Sequence, residues 1–154
     1  MYKFDFDYFA NVLGASESSN NYDAENGFAY GRYQFTAATF RRILSNLGEG
    51  DVSVSEFLTN HELQEKAYRG FVNEIINYVV DTGLTMYLGT KITGKSNNIQ
   101  TEINLYGLVA GAWLGGKAGL RDYLSTGNDK SDIYGTYISD YIAKFSEDWN
   151  KKKE

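Results

Sequence analysis

Glu17 stands where an apolar run gives way to small polar residues, in the stretch ASESSNNYDAENGFAYGRYQF over positions 15–35. A carboxyl group at such a border suits acid–base chemistry, provided its surroundings shield it enough to hold a proton near neutral pH. Other chemistries find fewer residues to use. The chain has one histidine, His61, and no cysteine, so it offers no thiolate nucleophile and no thiolate zinc set. His61 falls in the first turn of a predicted helix and reads as a surface residue rather than a ligand. No D-x-D-x-D-G loop, G-x-S-x-G elbow or Walker loop occurs, and no G-x-G-x-x-G follows a strand. No metal and no cofactor is therefore expected.

The elements that must position Glu17 are helical. Phe4, Tyr8, Val12 and Leu13 form one apolar stripe, which predicts a helix over 3–15 whose C-terminal end delivers Gly14-Ala15-Ser16-Glu17. Apolar neighbours and the negative end of a helix dipole would both favour the protonated acid there. Thr36 is the expected N-cap of a second helix through Leu47, stopped by Gly48. Thr59-Asn60-His61-Glu62 reads as a T-x-x-E capping box before a long helix over about 60–82. Its stripe is Leu63, Ala67, Phe71, Ile75 and Val79, and Gly83 ends it. Thr101 is the expected cap of a further helix carrying Ile103, Leu105, Leu108, Val109 and Ala112. Gly115-Gly116 should break it before a short helix over about 118–124, and a last helix is expected over Tyr137–Trp149. Nothing alternates in the manner of a strand for long, and residues 84–100 read as a loop. One mainly α domain over 1–150, followed by a basic tail at 151–154, is the expectation.

Composition narrows the function. At 154 residues the chain can bury roughly two-thirds of its unfolded surface, so its fold needs no disulfide or metal. A net charge of −5, with KKK at 151–153 as the one basic run, argues against a general nucleic-acid binder. No apolar stretch is long enough for a membrane span. The start, MYKFDFDYFANVLGAS, has acids inside its apolar run and no basic head, so it does not read as an export signal. Some of the thirteen tyrosines must be core, but rings in this number also suit a cleft that stacks on flat ligands.

The motifs around Glu17 resemble those of the lytic transglycosylase and phage tail lysozyme group of the lysozyme superfamily. In that group a Glu-Ser pair is followed by small polar residues and then by a G-x-x-Q turn. Here these are Glu17-Ser18, Asn20 or Asn21, and Gly31-Arg32-Tyr33-Gln34. His61–Ala67, written HELQEKA, is similar to the L-Q-x-x-A opening of the family's long helix. Leu108–Gly116, written LVAGAWLGG, resembles the A-H-L-G-G helix of phage-type members, and Gly135–Tyr141, written GTYISDY, their G-T-S-x-x-D-Y ending. The likeness covers about residues 10–145 in the family's order. Three positions depart from it. Trp113 stands in place of Tyr or His, Leu114 in place of Asn, and Ser19 in place of Gly.

The resemblance implies a single lysozyme-like helical domain that cleaves the β-1,4 bond between N-acetylmuramic acid and N-acetylglucosamine in peptidoglycan. Glu17 would be the general acid and base, giving 1,6-anhydro ends. Ser18, Asn20, Gly31, Tyr33, Gln34, Trp113 and Tyr141 would be substrate-binding residues. Each has a plainer use beside the functional one. Ser18 can instead hold Glu17 or cap backbone. Gly31 can be a turn residue with positive φ, and Gln34 can orient loop backbone. Tyr33, Trp113 and Tyr141 can be core.

A hydrolase would need a second carboxylate, for which Asp23 and Glu25 are nearest in sequence. Arg32, Arg41 and Arg42 are the cations expected to offset the anionic substrate. The partners implied are peptidoglycan strands and, through delivery by a phage or secretion apparatus into the periplasm or cell wall, virion or secretion-complex proteins. The alternatives are a hydrolytic muramidase, a non-catalytic glycan-binding or structural component, and an enzyme acting on a related polymer such as chitin.

Overall fold

The computed structural model describes residues 2–153; Met1 and Glu154, the outer ends of the expected domain and tail, lie outside them. The described residues form six α-helices, a 3-10 turn and one two-stranded antiparallel hairpin, so the chain is mainly α. No helix among them is long and apolar enough to cross a membrane. The chain falls into two compact units divided inside a helix, between Asn73 and Glu74.

In the first unit, α1 (Phe6–Ser18) starts at Asp5, whose carboxylate accepts from the Tyr8 N–H at 3.0 Å. That cap moves the helix three residues beyond the expected 3–15, so Glu17 lies in its last turn rather than after it. Phe9, Ala10, Leu13 and Gly14 are its buried face. Ser19 closes the helix in the left-handed region at φ 56°, with its N–H on Ala15 O and the Asn20 N–H on Gly14 O. This is the position where the family resemblance carries glycine, which occupies that region without steric cost. As expected, Thr36 caps α2 (Ala37–Asn46), its side chain accepting from Thr39 N.

A six-residue helix, α3 (Val54–Thr59), comes next, capped by Ser53. It is too short to show a period, and Phe57 is its one buried residue. Its presence displaces the expected capping box. The Thr59 hydroxyl donates back to Ser55 O at 2.8 Å, while Asn60 Oδ1 accepts from the Leu63 N–H and so starts α4 (His61–Asp81). The buried face of α4 is turned slightly from the expected stripe. Ala67, Ile75 and Val79 are fully buried as anticipated, but Gln64, Tyr68 and Val72 share that face, while Leu63 and Phe71 are half-buried. Stacked rings fill this unit, Phe40 on Phe57 at 4.0 Å and Tyr33 on Tyr68 at 4.4 Å.

In the second unit, the segment expected to be loop holds the 3-10 turn Leu84–Tyr87 and the strands β1 (Lys91–Thr93) and β2 (Gln100–Glu102), with Ile92 opposite Thr101. Three-residue strands are too short to leave an alternating pattern in the sequence. Thr101 therefore lies in β2, and Asn104 caps α5 (Leu105–Thr126) by accepting from the Gly107 N–H at 3.1 Å. The expected break occurs at Gly116, where φ 80° and ψ 163° interrupt the helix.

Gly107, Gly111 and Gly115 recur every fourth residue and open a groove on α5 for α6 (Ile138–Lys152). A Cβ on Gly111 would lie 2.7 Å from Ile142 Cγ1, and Cβ atoms on Gly107 and Gly115 would overlap Ser146 and Ile138. Lys151 and Lys152, read from sequence as tail, form the last turn of α6, where the helix dipole favours cations.

Candidate active site

Glu17 is half-buried in the last turn of α1. The hydroxyl of Ser18, next to it, donates to Arg32 O at 2.7 Å and accepts from the Asn21 N–H at 3.0 Å. Ser18 is thus committed to joining the helix end to the Gly31–Gln34 turn. The turn is closed by paired hydrogen bonds between Tyr30 and Phe35 and by the Gly31 N–H on Ala24 O at 2.7 Å.

Gly31 sits at φ 84°, and a Cβ there would overlap the Gln64 amide, so both backbone conformation and close approach require glycine. Gln34 is also left-handed, at φ 55°, and its amide donates to Gly31 O at 2.9 Å and Ala24 O at 3.3 Å. Of its two expected uses, Gln34 is engaged in orienting the loop.

Behind the turn lies a polar network that the sequence reading did not assemble. Gln64 has no exposed surface; its Oε1 accepts from the Arg32 N–H at 2.8 Å and its Nε2 donates to Tyr22 O and Phe57 O at 3.0 Å each. The Arg32 backbone is therefore held on both sides, through N–H by Gln64 and through carbonyl by Ser18. Its guanidinium donates to Glu65 Oε2 at 2.9 Å, Tyr33 OH at 2.8 Å, Asn11 Oδ1 at 3.0 Å and Asn20 Oδ1 at 2.9 Å.

Arg32, one of the three cations expected to offset an anionic substrate, is instead engaged inside the protein. Glu65 also accepts from the Tyr22 and Tyr33 hydroxyls at 2.7 Å each. Burial, and next the hydrogen bond to that carboxylate, hold the Tyr33 hydroxyl well above the ordinary phenol range, and the same two causes raise Tyr22.

Glu17, Ser18, Asn20, Gly31, Tyr33 and Gln34 all belong to the first unit, whereas Trp113 and Tyr141 belong to the second. Tyr33 is fully buried against Tyr68 and presents no face to a sugar ring. Exposed Asn20 holds Arg32 and donates to Asn11 O at 3.3 Å. Trp113 is half-buried on α5, and Tyr141 is 8 % exposed and forms a T-shaped pair with Phe145. Asp23 and Glu25, the acids nearest Glu17 in sequence, are both exposed.

Sequence reasoning did not identify Gln64 as a functional support. Its signal was a glutamine on the apolar face of a helix, where burial demands that every amide hydrogen bond be met. Among the described residues no group of three or more His, Asp or Glu side chains is placed to hold a metal ion. Compared with protein-family models, curated proteins and solved structures, the chain matches none of them.

Proposed function

We propose that this protein is a peptidoglycan-cleaving enzyme of the lytic transglycosylase type, built on a lysozyme-like helical fold, with Glu17 as its general acid and base. The observation that carries this reading is the pairing of a half-buried carboxyl in the last turn of α1 with a Ser18 hydroxyl that locks that helix end to the Gly31–Gln34 turn. A general acid needs partial shielding and a fixed position, and the negative end of a helix dipole favours its protonated form.

In the reaction, the Glu17 carboxyl gives its proton to the glycosidic oxygen as the bond to C1 of N-acetylmuramic acid breaks. The 2-acetamido carbonyl closes on C1 and carries the developing positive charge. The Glu17 carboxylate then removes the proton of the 6-hydroxyl, whose oxygen attacks C1, reopens the acetamido ring and leaves a 1,6-anhydro end. This route needs no protein nucleophile. The exposure of Asp23 and Glu25 supports it over a hydrolysis in which one of them is a shielded partner for Glu17.

Mass spectrometry of digested sacculi tests the chemistry. Products ending in 1,6-anhydro-N-acetylmuramic acid are expected. Reducing ends would make the protein a muramidase, and glycan binding without any product would make it a non-catalytic component of a virion or secretion complex.

A further inference from the structure

The second unit contains a recess of about 200 Å³ that none of the proposed catalytic residues lines. Buried Ile92 and Ile103, from the hairpin and the segment after it, contribute apolar wall; the half-buried rings of Tyr87 and Tyr123 and the exposed residues Lys91 and Gly127 complete much of the lining. Its volume falls below the roughly 300 Å³ at which pockets for drug-sized ligands begin, so it accommodates one ring rather than a chain of rings. Gly127, at φ 81°, has nothing within 4 Å of where its Cβ would stand, which keeps that side open.

Lys91 supplies the charge. In a chain with 20 acids and 15 lysines and arginines, it forms no ion pair among the described residues, whereas Lys66 and Lys117 are paired with Glu49 and Glu74. Glu102 stands opposite Lys91 across the hairpin without forming an ion pair with it, and a cation beside two aromatic rings and an aliphatic wall matches a ligand with a carbon ring and an anionic substituent.

We infer that this recess binds a single sugar-sized ring bearing a carboxylate, with Tyr87 and Tyr123 against the ring and Lys91 on the carboxylate. The proposed function suggests the ligand, a muramic acid unit carrying its lactyl carboxylate. The recess itself does not depend on cleavage by Glu17.

The test is an NMR titration of the full-length, isotopically labelled protein with N-acetylmuramic acid and, separately, N-acetylglucosamine, which lacks the lactyl group. The acid should shift the amides of Lys91 and Gly127 and bind about fivefold more tightly at low salt, the upper range for a solvent-exposed ion pair. Lys91→Gln should erase that preference and leave N-acetylglucosamine binding unchanged. Glucuronate against glucose should show the same preference on a ring foreign to peptidoglycan. Equal affinities within the first pair, shifts confined to other parts of the protein, or a preference that survives Lys91→Gln would overturn the inference. No cleavage is read, so a protein inactive on sacculi leaves this result standing, and a failed titration leaves the Glu17 chemistry untouched.

Discussion

At Arg32 the backbone and the side chain are engaged at once. Gln64 takes its N–H, Ser18 donates to its carbonyl, and Glu65, Asn11, Asn20 and Tyr33 take up its guanidinium. Loss of the fully buried Gln64 amide leaves three backbone groups of this frame unmet. Gln64→Leu keeps the volume but strands the Arg32 N–H and the carbonyls of Tyr22 and Phe57, at a cost of roughly 2–4 kcal/mol. Urea unfolding should report that loss, and hydrogen exchange should show the Arg32 amide losing its protection. Full protection of that amide in the variant would contradict the assignment.

Ser19 gives a change of opposite sign. A non-glycine residue at φ 56° carries left-handed strain, so Ser19→Gly should raise stability by about 0.5 kcal/mol after the added flexibility of glycine in the unfolded chain. A thermal melt should move up by about 1–2 °C, and a lower melting temperature would mean that the Ser19 side chain holds something the strain argument omits.

At the scale of elements, Asp140 fastens the loop after β1 to the start of α6. Its carboxylate accepts from the N–H groups of Ser96 at 2.7 Å, Asn97 at 3.2 Å and Tyr137 at 2.9 Å. Burial alone would raise this carboxyl, but the backbone N–H groups outweigh it and hold it below the usual carboxylate range. A depressed folded-state value means the stabilisation is fully present above the unfolded value of about 3.9 and is lost as pH falls through the folded one. Asp140→Asn should therefore be less stable at pH 7 and lose less stability than the parent between pH 5 and pH 2. Parallel acid limbs in urea unfolding at a series of pH values would contradict this.

The legibility of each element followed its length and its caps. Thr36, Gly48, Gly83 and the Gly116 break could be read because capping and left-handed turns select residue types locally. The hairpin at Lys91–Glu102 and the helix Val54–Thr59 could not, since neither is long enough to repeat a pattern. Choosing Asn60 over Thr59 as the cap depended on α3 already occupying Thr59. At the candidate site, the placement of Glu17 near a helix end was visible in the sequence. The commitment of Arg32 and Tyr33 to the frame was not, because it depends on Gln64 and Glu65 arriving from some thirty residues away, whereas orienting the loop was one of the two uses read for Gln34.

For the whole molecule, charge and chemistry pull in different directions. The net charge is −5 and Arg32 is committed internally, so an anionic polymer gains little electrostatic attraction from the protein. Screening should then help rather than hinder: kcat/KM on sacculi is expected to rise roughly twofold between low and physiological ionic strength. A steep fall with salt would point to a basic binding surface that the commitment of Arg32 does not suggest.

The central claim, that Glu17 is the acid and base of glycan cleavage, is tested most directly by the turnover of Glu17→Gln on purified sacculi, with circular dichroism and melting temperature measured alongside. Loss of at least about a hundredfold in kcat is predicted, in line with removal of a general acid, with the fold and its melting temperature essentially unchanged. Undiminished release of muropeptides by the variant would contradict it.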